Sequence, residues 1–282
     1  MNENEIFSNL INHKYRLPNP INLNDENIVI LYENILIKCW DAQQILRPSI
    51  SQLNEIFINY FDLLEPDYKF DKLDTEGQLK RCPEMFDEVN EVNPDEVKLA
   101  VLLKGNTFTE IWKGTFRFDD LLAGVKKFNL NDSENFDLAN KKFTEEFNLM
   151  KILNHPNVIK LYGICSLDPY YLITEFLKYG PLSSFLTKTH DPYTNEELDI
   201  NFNKLISIAQ DISNGMRYLG YLNIVHTDLS ARNILIGDFD VVKNKYITKI
   251  AGFERAFILN NGQIKKRINN EFESKFFFAD DY

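Results

Sequence analysis

Cysteine is scarce in this chain of 282 residues: Cys39, Cys82 and Cys165 stand far apart, with no Cys-x-x-Cys pair. That spacing fits free buried thiols in a reducing compartment better than a disulfide frame or a zinc site. Positive charge is also short, since 31 Lys and Arg face 42 Asp and Glu for a formal net charge of -11. Such an acidic surface argues against a nucleic-acid partner and against docking on anionic lipid, both of which need clustered Lys and Arg. No apolar run reaches membrane-spanning length. The acidic start Met1-Asn2-Glu3-Asn4-Glu5 lacks the hydrophobic stretch of a signal peptide. The expectation is a soluble, cytoplasmic protein without a membrane span. Hydrophobic residues make up 44% of the chain, ample for a packed core.

Three segments follow from periodicity and breakers. Residues 1–61 read as helical, with Leu31, Ile35, Cys39 and Trp40 at helical spacing, then Leu53, Ile56, Phe57 and Tyr60. Arg47-Pro48-Ser49 between them reads as a helix stop and restart. Residues 62–97 are acidic and broken by Pro66, Pro83 and Pro94, which reads as a linker. Residues 98–282 open with strand-like stretches at 99–103, 110–116 and 123–128. An amphipathic helix is predicted over 138–153, with Phe143, Phe147 and Met150 on one face. Strands follow at 159–165 and 170–176, and a second helix at 203–219. A small antiparallel sheet with one helix, followed by helices, is an α+β pattern.

The chemistry concentrates at His226-Thr227-Asp228-Leu229-Ser230-Ala231-Arg232-Asn233-Ile234-Leu235. This stretch resembles the catalytic loop of protein kinases, H-R-D-L-x-x-x-N, and its Ala231-Arg232-Asn233 ending resembles the tyrosine-kinase class. The bland alternative is a polar loop after a core helix, but other kinase motifs surround it in the right order. Ala123-Gly124-Val125-Lys126 resembles the V-A-I-K strand. Glu146 matches the helix Glu that pairs with that Lys, with Glu145 as competitor. His155-Pro156-Asn157 resembles a kinase junction, and Leu172–Leu177 the hinge.

The resemblance implies a two-lobed kinase-like fold, with an N-lobe at 98–177 and a partial C-lobe at 178–282. It implies ATP and Mg2+ as cofactors. Asp228 would accept the substrate hydroxyl proton, Lys126 would hold phosphates while paired with Glu146, and Asn233 would hold magnesium. Leu103, Gly105, Ile111, Thr174 as gatekeeper, and Glu175 and Leu177 through their backbone would line the nucleotide. Met150, Leu161, His226 and Phe253 match the four residues stacked between the lobes.

The pattern breaks at three places. Lys104, Asn106 and Thr109 occupy the glycine positions of G-x-G-x-x-G, although a shift of one residue retains Gly105. Glycine there lets backbone N–H groups approach phosphate, so nucleotide binding is expected to weaken. Gly252-Phe253-Glu254 replaces D-F-G, leaving Asn233 without its acidic partner at the metal. Glu254 is expected to face away in an unaltered backbone. Thr227 replaces the Arg that pairs with a phosphorylated loop residue, and between Phe253 and Phe278 the only hydroxyl residue is Ser274. Control by loop phosphorylation is therefore expected to be absent.

Residues 276–282 resemble the end of an activation segment, with Ala279-Asp280-Asp281 in the A-P-E place. Residues 1–61 resemble the tail of a tyrosine kinase domain. Leu63–Tyr68 and Thr107-Phe108-Thr109 resemble the interdomain linker and pseudokinase glycine loop of Janus kinases. The chain thus reads either as a piece of a tandem kinase or as a domain whose first segment completes its own C-lobe, with Arg47 meeting Asp281. Three functions compete. One is a tyrosine-kinase-like domain with impaired phosphotransfer that regulates a protein partner in signalling. The others are an active tyrosine kinase and a nucleotide-free interaction scaffold.

Overall fold

The structure, a computed structural model, describes residues 35, 37–39, 44–64, 90–106, 108–116, 121–129, 136–188, 190–191, 193–195, 197–198, 200–260 and 263–264. The chain divides into two units, Met1–Ile56 with Arg267–Tyr282, and Phe57–Lys266. Short helical turns at Ile37–Cys39 and Gln44–Leu46 lie in the first, and helix α1, Ile50–Leu64, begins in it and ends in the second. Pro48 ends one helical stretch and Ser49 starts the next. Ser49 Oγ accepts from Gln52 N at 3.2 Å, while Gln52 Oε1 accepts from Ser49 N at 2.8 Å, a capping box. The readings that fall on 265–282, including Ser274 and the Arg47–Asp281 pair, lie outside the described residues.

The larger unit opens with a six-stranded sheet. Its strands are β1 (Asn90–Glu91), β2 (Val97–Gly105), β3 (Thr109–Phe116), β4 (Leu121–Phe128), β5 (Leu161–Cys165) and β6 (Tyr170–Glu175). They lie in the order β1-β5-β6-β4-β3-β2. Every pairing is antiparallel except β1 on β5. Asn90 and Glu91, within the segment read as linker, therefore belong to the edge of this sheet. Alternation seats one face of the sheet's core: Ala123 and Val125 of β4 are buried with Tyr171 and Ile173 of β6, while Phe128 turns to the face that the helix after β4 covers.

Helix α2 (Phe136–Met150) buries Ala139, Phe143, Glu146, Leu149 and Met150, a three-to-four-residue repeat along one face. Phe143 meets the Phe128 ring edge-on at 5.3 Å and stacks on Tyr170 at 5.1 Å, which fixes the helix against the sheet. A carboxylate on that face, at Glu146, is thereby delivered toward β4.

After the hinge come β7 (Gly180–Pro181), the short helix α3 (Leu182–Phe185) and the long helix α4 (Phe202–Tyr221). Asn201 caps α4 by accepting from Lys204 N at 3.1 Å. Asn223, with φ +55, ends it in the left-handed conformation usual for a helix stop. Strands β8 (Ile224–Val225), β9 (Ile234–Asp240), β10 (Lys245–Ile250), β11 (Phe257–Asn260) and β12 (Gln263–Ile264) complete the described chain. The sequence reading expected helices here, but β9 and β10 form a hairpin. Ile234 and Ile236 alternate inward from one strand, and Tyr246, Thr248 and Ile250 from the other. Asp240 Oδ1 closes the turn by accepting from Val242 N and Lys243 N, both at 3.1 Å.

Helix α4 packs on β10 at close range. A Cβ built on Gly215 would sit 2.7 Å from Ile250 Cδ1 and 2.8 Å from the Asn157 carbonyl oxygen. Alanine gains about 1 kcal/mol over glycine in a helix. Overpacking against backbone costs about 1–3 kcal/mol and wins here. Gly215→Ala should therefore lower the midpoint of thermal unfolding, measured by circular dichroism.

His155 stacks on Tyr218 at 4.8 Å, and its Nδ1 accepts from Asn157 N at 3.1 Å, which requires an unprotonated nitrogen. Burial, then the charges of Arg217 and Lys249, lower its pKa to about 4. Between pH 6.5 and about 4 the unfolded chain accepts a proton that the folded chain refuses, so stability falls as pH falls through that window. A His155→Gln variant should show a shallower loss of melting temperature over that range than the wild type.

Candidate functional site

Strand β4 places Lys126 opposite Ile111 on one side and Leu172 on the other. The lysine side chain is 12% exposed, so its charge needs partners. Glu146 supplies one, with Oε2 at 2.7 Å from Nζ. Glu145 is exposed, which settles the choice between the two glutamates.

The second partner corrects the sequence reading. Glu254, expected to face away, accepts from Lys126 Nζ at 2.8 Å. The cause lies two residues upstream. Gly252 adopts φ +83, a left-handed conformation natural to glycine, and leads into the 3-10 turn Phe253–Arg255. That turn packs against α2 and drives Phe253 into the core. The next side chain is left over the ammonium.

Burial opposes the charge on Lys126, but the adjacent Glu146 and Glu254 carboxylates outweigh it and raise its pKa. Burial raises Glu146, with the Lys126 charge opposing. For Glu254 burial is again the largest single influence, yet the Lys126 ammonium and its hydrogen bond, helped by Lys104 and Arg255, bring the pKa below its ordinary value.

The catalytic-loop residues form a second group. Arg232 Nη2 donates to Asp228 Oδ1 at 2.5 Å, and Asn233 Nδ2 donates to the Asp228 carbonyl at 2.7 Å. His226 is buried, bonded to the Ala251 carbonyl at 2.9 Å, with its ring 5.1 Å from Phe253. Met150, Leu161, His226 and Phe253 are all buried, as expected of the stack. Thr227 holds φ +66, uncommon for a β-branched residue, and its hydroxyl donates to the Arg255 carbonyl at 3.1 Å.

The two groups meet through Gly252. A Cβ there would lie 2.5 Å from Asn233 Cγ and 2.6 Å from its Oδ1. The Asn233 amide thus fills the space a side chain at 252 would take. This bears on the expected magnesium. Gly252 offers no donor and the Glu254 carboxylate is bonded to Lys126, while Asn233 holds its amide nitrogen on the Asp228 carbonyl, which leaves Oδ1 as its one metal donor. Among the described residues, no three of His, Cys, Asp and Glu come together as a metal set. Of the positions where the family holds magnesium, Asn233 alone retains a donor, a poorer set for a hard dication than an amide oxygen beside a carboxylate.

The loop between β2 and β3 is closed by its own side chain. Asn106 Oδ1 accepts from Phe108 N at 2.9 Å and from Thr109 N at 2.8 Å. Phe108 is held further by Asn129 N on its carbonyl at 2.9 Å and by Lys142 Nζ at 4.8 Å from its ring centre. Gly105 pairs with Glu110 at the last step of the ladder. Leu103 is 52% exposed, whereas Ile111 is half-buried beside Lys126.

At the hinge, Thr174 lies opposite Gly124, and its hydroxyl is shared between the Glu175 carbonyl at 3.2 Å and the Gly124 carbonyl at 3.3 Å. The Glu175 carboxylate is 2.7 Å from Lys249 Nζ, and Leu177 is buried.

Three features escaped the sequence: the aim of Glu254, the Arg232 guanidinium on Asp228, and the closure by Asn106. The last had a signal, since Asn before a short turn commonly bonds amides two and three residues on. None of the described helices is long and apolar enough to cross a membrane.

The chain matches the family model for protein tyrosine and serine/threonine kinases over residues 97–273. It is 29% identical over 185 residues to the tyrosine-protein kinase Fgr of Mus musculus, covering 66% of this chain and 32% of the mouse protein. It is likewise 29% identical over 186 residues to the tyrosine-protein kinase SRK3 of Spongilla lacustris, covering 66% of this chain and 50% of the sponge protein. The chain thus spans half or less of the length of these relatives. On that match, and on the motif order that carries it, the chain belongs to the protein tyrosine and serine/threonine kinase family, with a domain of the tyrosine-kinase class.

Proposed function

We propose that this is a tyrosine-kinase-like domain with impaired phosphotransfer, acting on a protein partner in cytoplasmic signalling. One observation carries the reading. The position before Phe253 has no carboxylate and no room for one while Asn233 keeps its place, and the acid after Phe253 is spent on Lys126. Phosphoryl transfer is almost wholly positioning and charge neutralisation. Removing one such group from a reaction centre typically costs about 10²–10³ in rate.

Adenine would be met by backbone groups of Glu175 and Leu177 beside Thr174, with Leu103, Gly105 and Ile111 above it. Asp228 would face a substrate hydroxyl, with Arg232 fixing its carboxylate. An active tyrosine kinase is the second reading. It is favoured by the Lys126–Glu146 pair, which is already closed at 2.7 Å.

Transfer of γ-labelled phosphate to a tyrosine peptide separates the two. The wild type and Asp228→Asn should incorporate the same background label. Robust transfer by the wild type, abolished by Asp228→Asn, would overturn the impaired reading.

A further inference from the structure

A polyphosphate is held in protein sites by ammonium groups and by backbone N–H donors converging on its oxygens. Both kinds of donor are present here, and both already have an acceptor from within the chain. Lys126 Nζ gives its hydrogen bonds to Glu146 Oε2 at 2.7 Å and Glu254 Oε1 at 2.8 Å. The amides of Phe108 and Thr109, in the loop where the family approaches phosphate, converge on the single oxygen Asn106 Oδ1. Two acceptor oxygens, one charged and one neutral, thus sit on the donors that phosphate oxygens would use.

The two glutamates differ. Glu146 is 7% exposed and comes from the face of α2 that packs on the sheet, so it belongs to the fold. Glu254 is 57% exposed and reaches Lys126 from a chain position 128 residues away. Its removal leaves the Lys126–Glu146 pair intact and uncovers one side of the ammonium. Its presence adds a negative charge where a phosphate would arrive, and like charges at such range repel.

Building on the nucleotide-site reading above, we propose that the Glu254 carboxylate and the Asn106 amide oxygen are built-in phosphate surrogates, so that this site binds a nucleoside at least as tightly as the corresponding triphosphate. The ligand class is a neutral purine nucleoside or a similar flat heteroaromatic. The phosphates contribute no net affinity, because each must first displace an internal acceptor and then lie against Glu254. Glu254 is the residue that sets this preference, and Asn106 supports it.

The test is calorimetric titration of the full chain with adenosine and with ATP, each in EDTA and in magnesium chloride. It uses the wild type, Glu254→Gln and Asn106→Gly. The Gln variant keeps shape and removes charge at an exposed position, and a melt without ligand checks that both variants are folded. The wild type should bind adenosine as tightly as ATP or more tightly. Glu254→Gln should tighten ATP about tenfold or more, the effect of freeing one charge-assisted hydrogen bond, and leave adenosine unchanged. Asn106→Gly should shift ATP in the same direction by less.

ATP binding the wild type more tightly than adenosine would overturn the proposal. So would weaker ATP binding by Glu254→Gln in magnesium alone, which would make Glu254 a metal ligand. Absence of binding by either ligand to every variant would overturn it too, together with the nucleotide site. A preference for ATP combined with background-level label transfer would sink the surrogates and leave the impaired-kinase reading standing.

Discussion

A buried lysine cannot stay charged alone. Desolvating one ion costs several kcal/mol even after relaxation, and a partner must recover it. Lys126 solves this with two carboxylates from distant parts of the chain, and much of the site's shape follows. Glu146 can reach it only if α2 lies close against β4, and the Phe128, Phe143 and Tyr170 rings hold the helix there. Glu254 can reach it only if the turn at 253–255 is formed, which seats Phe253 against His226. Ion pair, helix and aromatic stack are therefore one cooperative unit. Loosening any of them leaves a charge or an aromatic ring without its place.

Around this unit, groups that serve ligands or phosphates elsewhere in the family are satisfied locally. Thr227 cannot pair with a phosphate as an arginine does. Its hydroxyl instead ties the catalytic loop to the backbone at Arg255. The backbone at φ +66 costs about 1–3 kcal/mol and persists only because its surroundings determine it. The His226 bond to Ala251 and the burial of Phe253 are that surrounding. Gly252 and Asn233 show a similar adjustment, one residue giving up its side chain where the other's amide now lies.

Much of this was legible in the sequence because it depends on order and periodicity. The five main strands came from strand-like apolar stretches, helices α1, α2 and α4 from helical spacing, and Lys126, Glu146, Asp228 and Asn233 from motif order. The hairpin β9–β10 was hidden, because the segment after the long helix was read as helical from the order of elements, and the charged Asp238, Asp240, Lys243 and Lys245 interrupt the alternation that would have marked two strands. The aim of Glu254 was illegible for a sharper reason. It is decided by the single dihedral at Gly252, and glycine is the residue whose sequence says least about its dihedral. Arg232 on Asp228 and Asn106 on its amides were hidden likewise, since both are side-chain conformations inside turns whose types were unknown.

A ligand stabilises one conformation only through its differential affinity for it. In a site whose donors depend on nucleotide and metal, a seated aromatic and a closed Lys–Glu pair gain population to the extent that the ligand binds that arrangement better. On the proposed reading Glu254, Asn106 and Thr227 supply such contacts from within the chain, and the arrangement depends less on a ligand. The consequence on the proposed reading is directional. Such a domain gives up the switching that ligand or loop phosphate would provide and gains a constitutively held kinase-like surface. That exchange suits a module that positions a protein partner better than one that turns over ATP.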